Sequence, residues 1–128
     1  LSDAEALSQA SLTLLRLAFL LNNELSRPEE AQQKLNDVIR NDREFEVPKC
    51  QELQGDIYLK LDEQKNLDRA IVQYKLSAEG DPKNFNLMFK LGRCFDRKRE
   101  YSESVVYFGK ALKIDPKSAT VAFKLGWA

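Results

Sequence analysis

The stretch FNLMFKLGRCFDRKREYSESVVYFGKALKIDPKS, residues 85–118, carries the pattern that decides the fold. Its apolar residues recur at three- and four-residue spacing, first in LMFKLGRCF and again in YSESVVYFGKAL. This spacing places them on one face of a helix. The polar segment DRKRE separates the two runs, and Pro116 ends the second because proline has no amide hydrogen. The stretch is therefore predicted to form two helices joined by a short turn.

The same pattern recurs along the chain with a period of 34 residues. The tetrapeptide FKLG occurs at residues 89–92 and again at residues 123–126. Upstream, Gly55 takes the place of Gly92 but lies 37 residues before it. We assign the additional residues to a turn, LDEQKN, because turns between helices tolerate insertions. A repeat of this length is typical of stacked helical units.

The whole chain is predicted to be all-α, with seven helices and no strand. Capping boxes are expected where Ser2 precedes Glu5 and where Ser26 precedes Glu29, since each side chain can satisfy the other residue's amide. The seven predicted helices cover approximately residues 3–23, 27–41, 48–62, 67–79, 85–97, 101–114 and 119–128. Grouped in pairs, they give one repeat domain over residues 1–128, with repeats at about 3–45, 48–82 and 85–118 and the first helix of a fourth at 119–128.

The composition excludes several classes of function. Twenty basic and twenty acidic residues give a formal net charge of zero, which argues against binding nucleic acid through phosphate neutralisation. The longest apolar run, LTLLRLAFLL, is about half of the roughly 20 residues that a membrane-spanning helix needs, so no membrane span is expected. With no histidine and only two cysteines, neither a metal site nor any other cofactor is expected.

Mid-helix glycine must have a structural reason here, because glycine is roughly 1 kcal/mol less favourable than alanine in a helix. We expect Gly92 to permit close approach of the paired helix. Small residues would lie opposite, and aromatic residues would fill the core beside them. These residues are Ala70, Ser104, Tyr58, Tyr74, Phe95 and Phe108.

Residues 85–118 resemble the tetratricopeptide repeat, a helix-turn-helix unit of 34 residues. The residues that carry the resemblance are Leu91, Gly92, Phe95, Ser104, Phe108, Ala111 and Pro116, of which Ser104 replaces the usual alanine. A second segment, residues 51–84, supplies Gly55, Tyr58, Ala70, Tyr74, Ser77 and Pro82, and the resemblance is weak only before about Cys50. The resemblance implies a right-handed superhelix of antiparallel helix pairs, an α-solenoid of about 3.5 repeats.

The resemblance also implies a partner-binding face, because the first helices of such repeats line a concave surface. The residues expected on it are Glu52, Asp56, Phe89, Lys90, Arg93, Phe123, Lys124 and Trp127. Alternatives stay open for several of them. Phe89 and Phe123 can instead pack against the following repeat, the basic residues can be solvated surface, and Trp127 can contact a further helix.

One function known in this family is not expected. Repeats that grip the free carboxyl terminus of chaperones use basic and amide residues at set positions, which in this chain are Leu15, Phe19, Leu53, Asn86 and Lys90. Catalysis is not expected either, since there is no histidine, no phosphate-binding glycine loop and no nucleophile with an adjacent base. Cys94 lies on an apolar stripe. Cys50, near a helix start, could have a lowered pKa but has no base beside it.

The expected function is a non-catalytic scaffold that binds a partner peptide or helix within a multi-subunit complex. Two alternatives are a structural spacer that self-associates end to end and a regulatory repeat domain of a larger enzyme. The apolar LTLLRLAFLL helix and a face formed by Val121, Leu125 and Trp127 favour the spacer. A reducing, cytoplasmic location fits the cysteine content. The chain begins with Leu1 and stops in mid-pattern at Ala128, so we expect a fragment of a longer protein.

Overall fold

A computed structural model describes residues 1–117 of the chain. This part folds into six α-helices and contains no strand, which confirms the all-helical prediction. The helices are α1 (Asp3–Asn23), α2 (Pro28–Asn41), α3 (Val47–Leu61), α4 (Glu63–Gly80), α5 (Phe85–Arg97) and α6 (Tyr101–Ile114). The seventh predicted helix, 119–128, and the second FKLG lie outside the described residues.

The start of α4 differs from the prediction. The helix begins at Glu63 rather than near residue 67, so the insertion in LDEQKN lengthens a helix and does not enlarge a turn. Asp62 explains this, because its backbone carbonyl still accepts from Asn66 N–H at 3.0 Å. Its carboxylate accepts from the backbone N–H of Lys65 at 3.1 Å, as a helix N-cap does.

Of the two predicted capping boxes, the one at Ser2 forms only its serine half and the one at Ser26 does not form. Ser2 Oγ accepts from the Glu5 backbone N–H at 3.1 Å and donates to the Glu5 carboxylate at 3.1 Å. Ser26, by contrast, has a left-handed backbone with φ of 52°, and α2 begins without a side-chain cap. The prediction for Ser26 was therefore wrong, since its backbone turns the chain away from the geometry that a cap requires. Pro28 occupies the first turn of α2 as expected.

The chain divides into two compact units. The first, Leu1–Gly80, contains α1 to α4. Helix α3 contacts α1, α2 and α4, and α1 contacts α2. The core of this unit is formed by α1, α2 and α3 through Leu15, Ala18, Leu21, Ala31, Leu35, Val38, Cys50, Leu53 and Ile57. Ala18 and Ala31, which take the small-residue positions of the repeat, are fully buried.

The second unit begins at Asp81 and is described to residue 117. It contains α5 and α6, which contact each other along their length. Asn84 caps α5, since its side chain accepts from the Leu87 backbone N–H at 3.1 Å. The buried residues of the pair are Leu87, Met88, Leu91, Gly92, Cys94, Phe95, Ser104 and Ala111. Whether residues 1–128 form one repeat domain stays a prediction.

Helix α1 is the longest helix of the described part, at 21 residues. By length and composition alone it is apolar enough to cross a membrane. One face of the helix is nevertheless buried in the core of the first unit. Arg16 lies on the other side, with its guanidinium 5.2 Å from the centre of the Phe19 ring. The expected absence of a membrane span stays a prediction.

Candidate functional site

The helix pairs approach each other closely at two glycines, as expected. A Cβ placed on Gly55 would lie 2.5 Å from the Tyr74 ring, and one placed on Gly92 would lie 2.6 Å from the Phe108 ring. The aromatic ring of the second helix therefore occupies the space that a side chain would need. Ser104 also lies against Gly92, because its Oγ donates to the Gly92 carbonyl at 2.9 Å.

Two of the predicted site residues, Glu52 and Asp56, share one face of α3. They are four residues apart, so their side chains lie on adjacent turns of the helix. Both side chains are half-buried. The Asp56 carboxylate accepts a hydrogen bond from the Tyr74 hydroxyl at 2.6 Å. Tyr74 of α4 thus orients the Asp56 carboxylate. This role of Tyr74 was not expected from the sequence.

Three further predicted residues, Phe89, Lys90 and Arg93, lie on one face of α5. Phe89 is half-buried and its ring centre lies 5.5 Å from that of Phe108. Phe89 therefore packs within its own repeat, so only part of its ring is accessible to a partner. Lys90 is half-buried, whereas Arg93 is exposed and has no hydrogen bond or ion pair with any of residues 1–117.

The structure brings the predicted residues together only in these two groups. One group lies in the first unit and the other in the second. The remaining three, Phe123, Lys124 and Trp127, lie outside the described residues.

A cleft on the other side of α3 was missed by the sequence analysis. It has a volume of about 320 Å³ and lies within the first unit. Its lining residues are Ile39, Asp42, Arg43, Phe45, Val47, Cys50, Gln51, Gln54, Tyr58 and Gln73. The available signal was the spacing of Gln51, Gln54 and Tyr58, which share a helical face without being apolar.

Both cysteines are buried free thiols. Burial, followed by the nearby carboxylates of Glu46 and Asp42, raises the pKa of Cys50 to about 11. The sequence had allowed a lowered pKa at this helix start, which was wrong. The thiol instead donates to the Phe45 carbonyl at 3.4 Å. Cys50 is therefore an unreactive core residue at neutral pH.

In the part of the chain that the structure describes, no three histidine, cysteine or acidic side chains are grouped so as to hold a metal ion. The Asp56 carboxylate of α3 accepts a hydrogen bond from the Tyr74 hydroxyl. The charged side chains on the predicted faces of α3 and α5 are suited to binding a partner through charge and hydrogen bonds.

Comparison with known proteins identifies one repeat of the chain. Residues 87–118 match the family model described as tetratricopeptide repeat. The matched segment covers most of α5 and all of α6, with the close contact at Gly92 between them. A search of curated proteins found no match. Residues 87–118 are therefore similar to a tetratricopeptide repeat, and the six helices of the described residues are consistent with a helical repeat.

Proposed function

We propose that this protein is a non-catalytic scaffold that binds a partner peptide or helix. Tetratricopeptide repeats generally mediate protein–protein interactions and are generally non-catalytic. We propose further that the repeats continue as a right-handed superhelix whose concave face binds the partner, within a multi-subunit assembly. The residues proposed to contact the partner are Glu52, Asp56, Phe89, Lys90, Arg93, Phe123, Lys124 and Trp127.

The observation that supports this proposal most directly is that α5 has one buried face and leaves Arg93 exposed. Leu87, Leu91 and Phe95 are buried together with Gly92, so the motif positions are used in packing. Arg93 lies outside that buried face and is exposed. An exposed guanidinium on a helix whose other face is fully packed is available for a partner carboxylate.

Charge reversal tests the proposal. The double variant Lys90→Glu, Arg93→Glu is expected to lose the partners that the unaltered protein captures from cell extract, as measured by quantitative mass spectrometry. Lys83→Glu with Lys113→Glu is the matched control, because it changes the net charge equally at exposed positions in the same unit. Survival of every partner in the Lys90, Arg93 variant would show that this face does not bind them.

A second candidate, the structural spacer, is favoured by apolar side chains on α1. Leu7, Leu12 and Leu17 are 41%, 58% and 40% exposed, respectively. Surfaces of this kind favour association with another chain or with a second copy. Light scattering of the unaltered protein and of the Leu12→Gln, Leu17→Gln variant distinguishes the spacer from the partner-binding scaffold. Oligomers that disappear in this variant would support the spacer, and a monomer at all concentrations before substitution would exclude it.

We also propose a reducing, cytoplasmic location. Support comes from the two free thiols, each buried in a core where a disulfide partner is not present among the described residues. Fluorescence microscopy of the tagged full-length protein tests the location, and accumulation in a secretory compartment would contradict it.

A further inference from the structure

The cleft in the first unit, called here the α2–α3 cleft, is a feature that the proposed function does not use. It lies between the end of α2, the segment 42–46 and the outer face of α3, and Gln73 of α4 forms its far wall. Its volume of about 320 Å³ is at the lower end of the range for ligand-binding sites.

The cleft and the proposed partner-binding face are on opposite sides of α3. Tyr58 follows Asp56 by two residues, which corresponds to about 200° around a helix of 3.6 residues per turn. Gln54 lies within about 40° of Tyr58 on the same side. Binding at the cleft is therefore separate from binding at Glu52 and Asp56.

Four polar side chains of the cleft have no polar partner among residues 1–117. Among residues 1–117, the Arg43 guanidinium, the Gln51 and Gln73 amides and the Tyr58 hydroxyl make no hydrogen bond or ion pair. All of these side chains except exposed Arg43 are half-buried, so they line the cleft rather than extend into solvent.

The other polar groups of the cleft are already engaged. Gln54 exchanges two hydrogen bonds with Gln32, at 2.9 and 2.6 Å, which join α3 to α2. Asp42 accepts from Ser11 Oγ at 2.8 Å. These bonds hold the walls in place before any ligand arrives, which reduces the entropy lost on binding.

Two charged residues, Asp42 and Arg43, line the cleft. Two basic residues near Arg43 already form ion pairs, Arg40 with Asp37 and Lys49 with Glu46, whose carboxylate lies 3.9 Å from the Lys49 ammonium. The Asp42 carboxylate accepts a hydrogen bond from Ser11 Oγ and makes no ion pair with Arg43. The unpaired guanidinium therefore favours a ligand that carries a carboxylate.

An apolar area lies beside this charge. Ile39 is 44% exposed, and Phe45 and Val47 are half-buried at the entrance to α3. An aliphatic side chain placed here would cover apolar surface that is now in contact with water. The amides of Gln51 and Gln73 each offer a donor and an acceptor, which is the combination that a peptide backbone presents.

We propose that the α2–α3 cleft binds an extended peptide segment of a partner protein in which an acidic residue stands next to an aliphatic one. Arg43 binds the carboxylate, Ile39 and Val47 receive the aliphatic side chain, and Gln51 and Gln73 hold the peptide backbone. The cleft is a second binding surface of the scaffold, independent of the face formed by Glu52 and Asp56.

Selection from a phage-displayed library of random linear peptides tests this proposal. Peptides are selected on the intact chain and depleted on the Arg43→Gln variant, and a synthetic peptide with the resulting consensus is measured by fluorescence polarisation. The expected consensus has Asp or Glu adjacent to Leu, Ile or Val. Arg43→Gln is expected to weaken its binding by about tenfold or more, because a charged hydrogen bond is lost.

Three comparisons make the result specific. Arg40→Gln, an exposed guanidinium three residues earlier, is expected to keep affinity within about twofold, and Gln73→Ala to weaken it severalfold. The variant Lys90→Glu, Arg93→Glu is expected to bind the peptide unchanged, although it is expected to lose the partners of the other face. Circular dichroism verifies that each variant is folded. A selection that yields no peptide, a different consensus, or equal binding to Arg43→Gln overturns the proposal.

Discussion

Gly55 and Gly92 set how closely the helices of two pairs approach. In each case the ring of an aromatic residue from the second helix lies where a Cβ would be, Tyr74 against Gly55 and Phe108 against Gly92. The two environments differ, since Tyr74 is 1% exposed and hydrogen-bonded to Asp56, whereas Phe108 is half-buried. The ring at Gly55 therefore has less freedom to move away.

We expect Gly92→Ala to destabilise the protein by about 1–2 kcal/mol and Gly55→Ala to destabilise it more. Overpacking against the ring outweighs the gain in helix propensity, which is about 1 kcal/mol. Gly109→Ala is the control, because a Cβ there would contact nothing within 4 Å. It is expected to stabilise the protein by about 0.5–1 kcal/mol. Urea denaturation measures all three, and equal stability of the Gly92 and Gly109 variants would contradict the assigned packing.

Cys50 makes stability depend on alkaline pH. Its pKa of about 11 in the folded protein lies above the ordinary value of 9.0, which the unfolded chain has. Between these values the unfolded chain gives up the thiol proton and the folded protein keeps it. The free energy of unfolding therefore falls as pH rises from about 9 to about 11.

Replacement of Cys50 should remove this contribution. We expect Cys50→Ala to lose less stability than the unaltered protein when urea titrations at pH 9 and at about pH 11 are compared. Cys94→Ala keeps Cys50 and should retain the fall. An identical pH dependence in the Cys50 variant and the unaltered protein would show that this thiol does not ionise on unfolding.

At the scale of helices, most boundaries follow from local signals in the sequence. Predicted and observed limits coincide for α5 and α6, where Asn84 caps one helix and Asp115-Pro116 follows the other. The exception is α4, which begins four residues early. Asp62 ends α3 and caps α4 at once, so a segment rich in polar residues becomes helix rather than turn.

The cap at Asp62 can be tested by mutation. Asp62→Ala is expected to cost about 1 kcal/mol of stability, since the Lys65 amide loses its acceptor at the start of the helix. Gln64→Ala, at an exposed position two residues further on, should change stability by less than about 0.5 kcal/mol. Chemical denaturation followed by circular dichroism gives both values. Equal effects would indicate that the helix start does not depend on the cap.

At the scale of the whole molecule, the first unit has a core of its own. Nine buried residues from α1, α2 and α3 form one cluster. Helix α4 is bonded to α3 through Tyr74, which donates to Asp56, and through Ser77, whose Oγ donates to the Pro48 carbonyl at 2.7 Å. A set of helices with a continuous core and short connections is able to fold by itself.

We therefore expect residues 1–80, expressed alone, to be helical and to unfold in one cooperative transition. Differential scanning calorimetry and far-ultraviolet circular dichroism provide the measurement. Leu35→Ala, which removes a fully buried side chain of this core, should lower the stability of that fragment by about 2–5 kcal/mol. A gradual, non-cooperative melt of the fragment would show that the unit depends on the rest of the chain.

The sequence by itself determined the helical class, the period, and the positions at which helices must touch. These follow from local spacing, since three- and four-residue periodicity defines a helical face and glycine within a helix indicates a close neighbour. The site was predicted less completely. Glu52 and Asp56 could be placed on one face from their spacing, but the bond from Tyr74 to Asp56 could not.

The tertiary structure alone decided which polar groups are engaged and which are available. The pairs Arg40–Asp37 and Lys49–Glu46 each join residues three apart, so the sequence can suggest them. Only the folded chain shows that Arg43 lines a cleft and has no ion pair among residues 1–117. The cleft itself is lined by residues of α2, α3 and α4 that are as many as 34 positions apart, from Ile39 to Gln73. Periodicity reports the neighbours of a residue along its own helix, whereas a cleft between helices exists only after they have packed.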